Sequence, residues 1–436
     1  MDGAGAAVSG RVAMSTASPG RGACRISGCL GLLVWLGVAL TCRVADAQER
    51  LERLTLDDAV GAAIRHNATL GAKRAELEAI RANEITAALR PNPTASYSAE
   101  QLANSSTEPQ YTVILAQPIE TGGKRQRRIE SARAATRTTG HELSDVRRLV
   151  VAQVKSAFSG VLVAQATLVL AEQNLATLDE IERLQRVRAE KGDISQLELL
   201  RLQVQRFAFE RDAGDARQAI EAAKIALRAT VGPEAVADSF DVLGELDFRD
   251  VSLNRDQLRQ RALANRPDLQ AAQAARDKAR ADVNLARANA WWDVTPQIEY
   301  QRIGPENTIG FGFSFPLRIF DRNQGEIART RSEVERSDAL TRSVTVQALA
   351  EVDTAVSAVT IQQARVVALR DTYLPKAQQA RATVEFAYRR GGSSLLDFLD
   401  AQRTYRETAL EHLRAMGNYW SALYQLEAAV GGSLND

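Results

Sequence analysis

Hydrophobic and polar positions follow two periods along the chain, and the switches between them mark its elements. From Leu56 to about Arg90 apolar residues recur at helical spacing, with Asp57 and Asp58 in the first turn and Pro91 and Pro93 closing the run. The period then drops to two over about 94–102 and, beyond a polar turn ending at Pro109, over about 110–117, where Pro118 stops it. That pattern predicts a β-hairpin. After Thr121-Gly122-Gly123 the helical period returns over about 124–190, a rod of about 100 Å at about 1.5 Å per residue. Val154, Phe158, Val161, Leu168 and Leu175 keep heptad spacing, as a seam against neighbouring helices requires. Lys191-Gly192-Asp193 breaks the rod, and a second helix returns over about 194–231.

A less periodic connector, 233–253, separates this half from a second that repeats its programme. Ala63-Ile64 with Leu70 match Ala262-Leu263 with Leu269; Pro118 answers Pro316; Gly192 and Gln203 answer Gly391 and Gln402, at an offset near 200 residues. The first repeat is therefore 48–232 and the second 254–431, before a short tail at 432–436. The second half predicts strands over about 295–303 and 307–316 and long helices over about 324–389 and 394–430.

Ile309, Phe311, Phe313 and Phe315 alternate with Thr308, Gly310, Gly312 and Ser314. One greasy and one small polar face fit a lipid-facing barrel strand of about 9 to 11 residues. A strand half-buried in a soluble sheet has the same pattern, but helices this long leave two hairpins no evident sheet to join. Four strands cannot close a barrel, and open edges are not tolerated in hydrocarbon, so several copies must contribute.

The second helical tip reads Tyr388-Arg389-Arg390-Gly391-Gly392-Ser393-Ser394-Leu395. Its glycines suit a tight reversal, and either serine can cap the returning helix. Asp397 and Asp400 lie three residues apart on one face of that helix. Copies around an axis would turn each into a ring of charge. Acidic residues also favour a helix start simply because the macrodipole is positive there.

Composition narrows the picture. Lys and Arg number 55 against 54 Asp and Glu, so no general basic surface advertises nucleic acid. Aromatic residues are only 5%, which suits alanine-rich helices packing closely in an elongated molecule. Cys24, Cys29 and Cys42 all fall in residues 1–47, which read as an export signal: Arg21 and Arg25 precede the apolar run Leu30 to Leu40, and Ala45-Asp46-Ala47 offers cleavage after Ala47. The other readings of this segment are a buried helix in a cytosolic chain and acylation on Cys42, although Thr41 is a poor residue before a lipidated cysteine. Beyond it no run of about 18 apolar residues is evident, so membrane entry is expected through strands.

Catalytic chemistry is not signalled. Gly122-Gly123-Lys124-Arg125 lacks the spaced first glycine and the Ser/Thr of a phosphate loop, and His141-Glu142 lacks the second histidine of a zinc-protease helix. His66, His141 and His412 are the only histidines, and their positions suggest no shared site. No nucleophile-elbow signature occurs, so an enzyme is not expected. Trp291-Trp292, just before a predicted strand, suit either a membrane boundary or core packing.

From about Leu54 to Val430 the chain resembles the TolC-like outer membrane efflux proteins. The resemblance rests on the repeat and on Tyr388-x-x-Gly391 followed by Leu396-Asp397-x-Leu399-Asp400-Ala401. Gln117-Pro118-Ile119-Glu120-Thr121-Gly122-Gly123-Lys124-Arg125 and Phe320-Asp321-Arg322-Asn323-Gln324-Gly325 are similar to the branch serving cobalt, zinc and cadmium efflux. It implies a mainly α fold with a membrane β part: a homotrimer with a 12-stranded β-barrel in the outer membrane and a periplasmic α-barrel. It further implies docking to a periplasmic adaptor (membrane fusion protein) and, through it, to an inner-membrane resistance-nodulation-division transporter, with no cofactor. By position, Asp397 and Asp400 match the family's periplasmic gate, while Gly192, Gly391 and Gly392 match the adaptor-docking tips. The first repeat has Glu198 and Arg201 where the second has its aspartates. A duct for drugs or organic solutes, and a periplasmic coiled-coil scaffold without a pore, are the competing readings.

Overall fold

The computed structural model describes residues 51–102 and 106–434. The expected export signal and its cleavage after Ala47 lie outside the described residues. In chain order the first half comprises β1 (Leu51–Leu54), α1 (Leu56–His66), α2 (Ala68–Ala88), β2 (Thr94–Glu100), β3 (Gln110–Ala116), α3 (Lys124–Glu190), α4 (Gln196–Val231) and β4 (Val236–Val242). The second comprises α5 (Arg255–Asn265), α6 (Pro267–Asn289), β5 (Thr295–Ile303), β6 (Glu306–Ser314), α7 (Gln324–Ala368), a π-helical turn (Leu369–Tyr373), α8 (Leu374–Arg389) and α9 (Leu395–Val430).

Local chemistry sets these boundaries. Thr55 and Asp58 form a reciprocal capping box that starts α1. Asn67 caps α2 through the Leu70 amide at 3.1 Å, and its own amide donates to the Thr230 carbonyl at 2.7 Å, tying α2 to the end of α4. Asn254 caps α5, and Pro267 occupies the first turn of α6, where a missing N–H costs nothing.

The repeat is visible in the packing. Ala62, Val154, Val161, Leu227 and Val231 are buried in one core, and Ala262, Val352, Val359, Leu426 and Val430 in another. Each half thus builds its own core at positions offset by about 200 residues. Along the helical layer α3 packs between α4 and α9, and α9 packs against α7 and α8. The four-stranded antiparallel sheet has the order β2-β3-β5-β6. Both layers therefore run from a first-repeat element at one flank to a second-repeat element at the other.

Besides the break at extended Asn67, which splits the helix expected from Leu56 to about Arg90 into α1 and α2, three features depart from the sequence reading. The stretch read as a connector contains β4, which pairs in parallel with β1 through Leu51↔Val236 and Leu54↔Val242 and buries Val236, Phe240 and Val242. The rod expected over about 324–389 carries the π turn at Leu369–Tyr373. Third, α3 and the α7–α8 rod each contain an 18-residue window apolar enough, by composition alone, to cross a membrane. These windows escape a search for unbroken apolar runs because small and neutral polar residues punctuate them. At 67 and 66 residues both rods far exceed the roughly 20 residues a bilayer needs.

Candidate functional site

The sheet sorts its side chains by chemistry. Register aligns Tyr97, Val113, Tyr300 and Ile309 in one row and Ala95, Leu115, Ile298 and Phe311 in the next, all on one face. On β6 and just beyond it Ile309, Phe311, Phe313 and Phe315 are 66%, 81%, 71% and 44% exposed. The opposite face carries Ser96, Ser98, Thr112, Gln297, Gln301 and Thr308, with Ile114 and Ile303 as apolar exceptions and with Gly310 and Gly312 leaving room beside Glu299 and Gln297. Its charged strand residues are Glu100, Glu299 and Glu306. Among the described residues, β2 and β6 each pair on one side only.

The glycine-lysine stretch that superficially suggests a phosphate loop joins this sheet to α3. Gly122 and Gly123 have φ of 63° and 70°, and a Cβ on Gly122 would lie 2.8 Å from Trp291. Lys124 is buried against Asp293, Nζ to Oδ2 2.6 Å, while Asp293 also accepts from the Thr121 amide at 2.9 Å. The lysine is thus committed to a structural pair. Trp291 and Trp292 are both exposed beside this junction, with the Trp292 ring 5.2 Å from Phe315.

At the far end of the long helices are the two tips. Gly192 and Gly391 take φ of 80° and 82°. The Asp193 amide then donates to the Arg188 carbonyl at 2.9 Å, and the Gly392 amide to the Ala387 carbonyl at 2.9 Å. Both helices therefore end in the same left-handed glycine motif. The two returning helices are capped differently. Ser195 caps α4 through the Glu198 amide alone, at 3.4 Å. Ser394 caps α9 through the Asp397 amide at 3.2 Å, and Asp397 Oδ2 accepts in return from the Ser394 amide at 3.0 Å and from the Ser393 and Ser394 hydroxyls.

Asp397 is therefore the return acid of a capping box. The Ser394 hydroxyl, followed by its amide, holds the Asp397 carboxyl below the usual carboxylate range. Asp400, one turn on, is exposed and pairs with Arg403 at 3.2 Å. Neither aspartate meets a counterpart from the first tip within one chain.

A shared core locks the tips together. Leu178, Ile181, Leu202 and Phe209 from α3 and α4 bury against Tyr388, Leu395 and Phe398. Tyr388 and Phe398 stack with centroids 5.2 Å apart, and Gln185 Nε2 donates to the Tyr388 hydroxyl. Burial, and secondarily the Glu198 charge, push the Tyr388 hydroxyl up to about 12. Arg389 meets Glu180 at 3.0 Å, Arg188 donates to the Arg389 carbonyl at 2.6 Å, and Arg406 meets Asp212 at 3.0 Å. The sequence reading missed this cross-tip lattice, since its partners lie about 200 residues apart. Among the described residues no three His, Cys, Asp or Glu side chains gather into a metal-binding group.

An apolar-outside sheet, paired long helices and two tips invite comparison with known proteins. The chain is 27% identical over 380 residues to the cobalt-zinc-cadmium resistance protein CzcC of Cupriavidus metallidurans, covering 87% of this chain and 90% of that protein. Among solved structures it is similar to the outer-membrane channel OprN, at 21% identity and a TM-score of 0.73 over 88% of this chain and 94% of that one. It is also similar to CusC, whose description concerns transmembrane channel formation, at 19% identity and a TM-score of 0.73 over 87% and 92% of the two chains. The family described as outer membrane efflux protein matches residues 59–233 and 258–432, one match per repeat. With four-fifths of its length so matched, the chain belongs to the outer membrane efflux protein family.

Proposed function

We propose that copies of this chain assemble into a trimeric duct that carries heavy-metal cations across the outer membrane from a tripartite efflux system. The observation that carries this reading is the sheet: one face largely apolar and exposed, the other mainly polar, both edges unpaired among the described residues. Such a sheet in lipid must close on other copies of itself. Because β2 and α4 share one flank and β6 and α7–α8 the other, one neighbour on each side closes the strand layer and the helix layer together. Three copies give the twelve strands expected of the family resemblance.

The polar face then lines the lumen. Its carboxylates, Glu100, Glu299 and Glu306, would favour cations without choosing among them. The name of CzcC favours cobalt, zinc or cadmium as cargo; metal choice is assigned to the pump, since the duct's sparse ligands offer no selective site. Gly192, Gly391 and Gly392 are the proposed contact with a periplasmic adaptor, which links the duct to a resistance-nodulation-division transporter. Asp397 and Asp400, repeated around the axis, are the proposed gate.

Deleting the gene should raise sensitivity to zinc, cobalt and cadmium, with restoration by the intact gene. Sensitisation to dyes and detergents alone would favour the duct for organic solutes. In planar bilayers, Asp397→Ala with Asp400→Ala should alter cation block and conductance; unchanged behaviour would remove both residues from the gate.

A further inference from the structure

Within the seam where α3 meets α4 and α9 lies a polar group that packing alone does not explain. The buried face of α3 runs through Leu170, Ala171, Asn174, Leu178 and Ile181, so an asparagine holds a core position among apolar residues. Asn174 is only 2% exposed, and neither its Nδ2 nor its Oδ1 has a hydrogen-bond partner in the protein. Exchanging the two amide atoms would satisfy neither. A seam asparagine that fixes helix register does so by pairing across the seam, and Asn174 pairs with nothing there. A buried amide in this state lowers stability unless a bound molecule completes its hydrogen bonds.

Asn174 borders a cavity of about 270 Å³ between α3, α4 and α9. That size is just below the usual range for drug-sized ligands and suits a small metabolite. Leu170, Ala216 and Leu410 give it apolar walls, and the Arg406 guanidinium lies over the buried ring of Phe209 at 5.0 Å. Arg406 meets Asp212 through Nη1 at 3.0 Å, and the Asp212 carboxylate also faces Arg211 at 3.3 Å. The Nε of Arg406 is buried and has no partner. Its Nε–Nη2 edge, the one that grips a carboxylate side-on through two parallel N–H donors, is therefore not engaged by Asp212.

We propose that this cavity binds a small organic carboxylate. Arg406 grips the carboxylate side-on, Asn174 Oδ1 accepts from a hydroxyl or amino substituent, and the apolar walls enclose the carbon chain. An inorganic anion would leave those walls and Asn174 Oδ1 unused, and a metal cation would meet the Arg406 charge. Binding needs no pore, so it is tested separately from the duct reading.

Calorimetric titration of the full chain in detergent with 2-hydroxyisocaproate should show saturable binding. The corresponding amide, which lacks the charge, should bind about tenfold more weakly. Isocaproate, without the hydroxyl, should fall between them. Arg406→Lys keeps a positive charge toward Asp212 but has no side-on edge, and it should erase the preference for acid over amide. Asn174→Leu should erase the preference for the hydroxy acid over isocaproate, and it should melt no lower than the unaltered chain, because it removes an unpaired amide from an apolar seam. Absence of saturable binding, equal binding of acid and amide, or an acid preference that survives Arg406→Lys would overturn the proposal. A lower melting temperature for Asn174→Leu, with ligand preferences unchanged, would also overturn it by giving Asn174 a purely structural role. If either variant does not fold, acid against amide on the unaltered chain still decides.

Discussion

The two helical tips reverse the chain with the same glycine geometry, yet their returning helices are buried to different degrees. The start of α9 points inward: Phe398 and Gln402 are fully buried. The start of α4 buries Leu202 in the same core but leaves Leu197, Leu200, Val204 and Phe207 exposed at three- and four-residue spacing. Gln203, the repeat partner of Gln402, is likewise exposed. Both hairpins of the duplicated sequence thus fill one tip core, and the first in addition keeps an exposed apolar row along its returning helix.

That difference sets the largest expected effect. Phe398→Ala should lower stability by about 3–5 kcal/mol, the usual cost of emptying a buried aromatic site. Leu200→Ala should leave the folded chain within about 0.5 kcal/mol and weaken association between copies instead. Denaturation and sedimentation in detergent separate the two; equal effects on folding would erase the contrast.

The caps give a smaller difference. Ser394→Ala should cost about 1 kcal/mol, because it breaks both directions of the capping box, and Ser195→Ala should cost less, because Glu198 makes no return bond. The Asp397 carboxyl is depressed by its serine partners, so its contribution is present above the ordinary aspartate range and is lost as pH falls through its folded value. Melts between pH 7 and pH 3 should show that loss in the unaltered chain and not in Ser394→Ala.

His412, on α9 near the π turn, sharpens the comparison further. Burial first, and then the Arg370 charge, lower its imidazole below the usual value. The unfolded chain therefore binds the proton more readily, so stability is retained above about pH 6.5 and falls as pH drops from there toward the folded value. His412→Gln should flatten that part of the melting profile. The smallest effect belongs to the Arg389–Glu180 pair at the tip surface: a double-mutant cycle on Arg389→Ala and Glu180→Ala should find a coupling weaker than the loss from Ser394→Ala.

How much the sequence revealed tracks how local each signal is. The phenylalanines of β6 were legible because a period of two needs only neighbours, and the tips were legible because Gly192 and Gly391 sit where two helical patterns meet. The π turn was not, since Pro375 inside an apolar helical pattern specifies a defect without its form. The β1–β4 pair was hidden because Leu51–Leu54 is four residues long and its partner lies far along the chain. For Asp397 the spacing left a gate and a cap both open; the fold supplies the cap, while a ring requires other copies.

Single-channel recording of the purified full chain in planar bilayers bears most directly on whether copies of this chain enclose a lumen. The account predicts discrete cation-favouring conductance steps from a detergent-requiring assembly. A water-soluble single chain that yields no steps would contradict it.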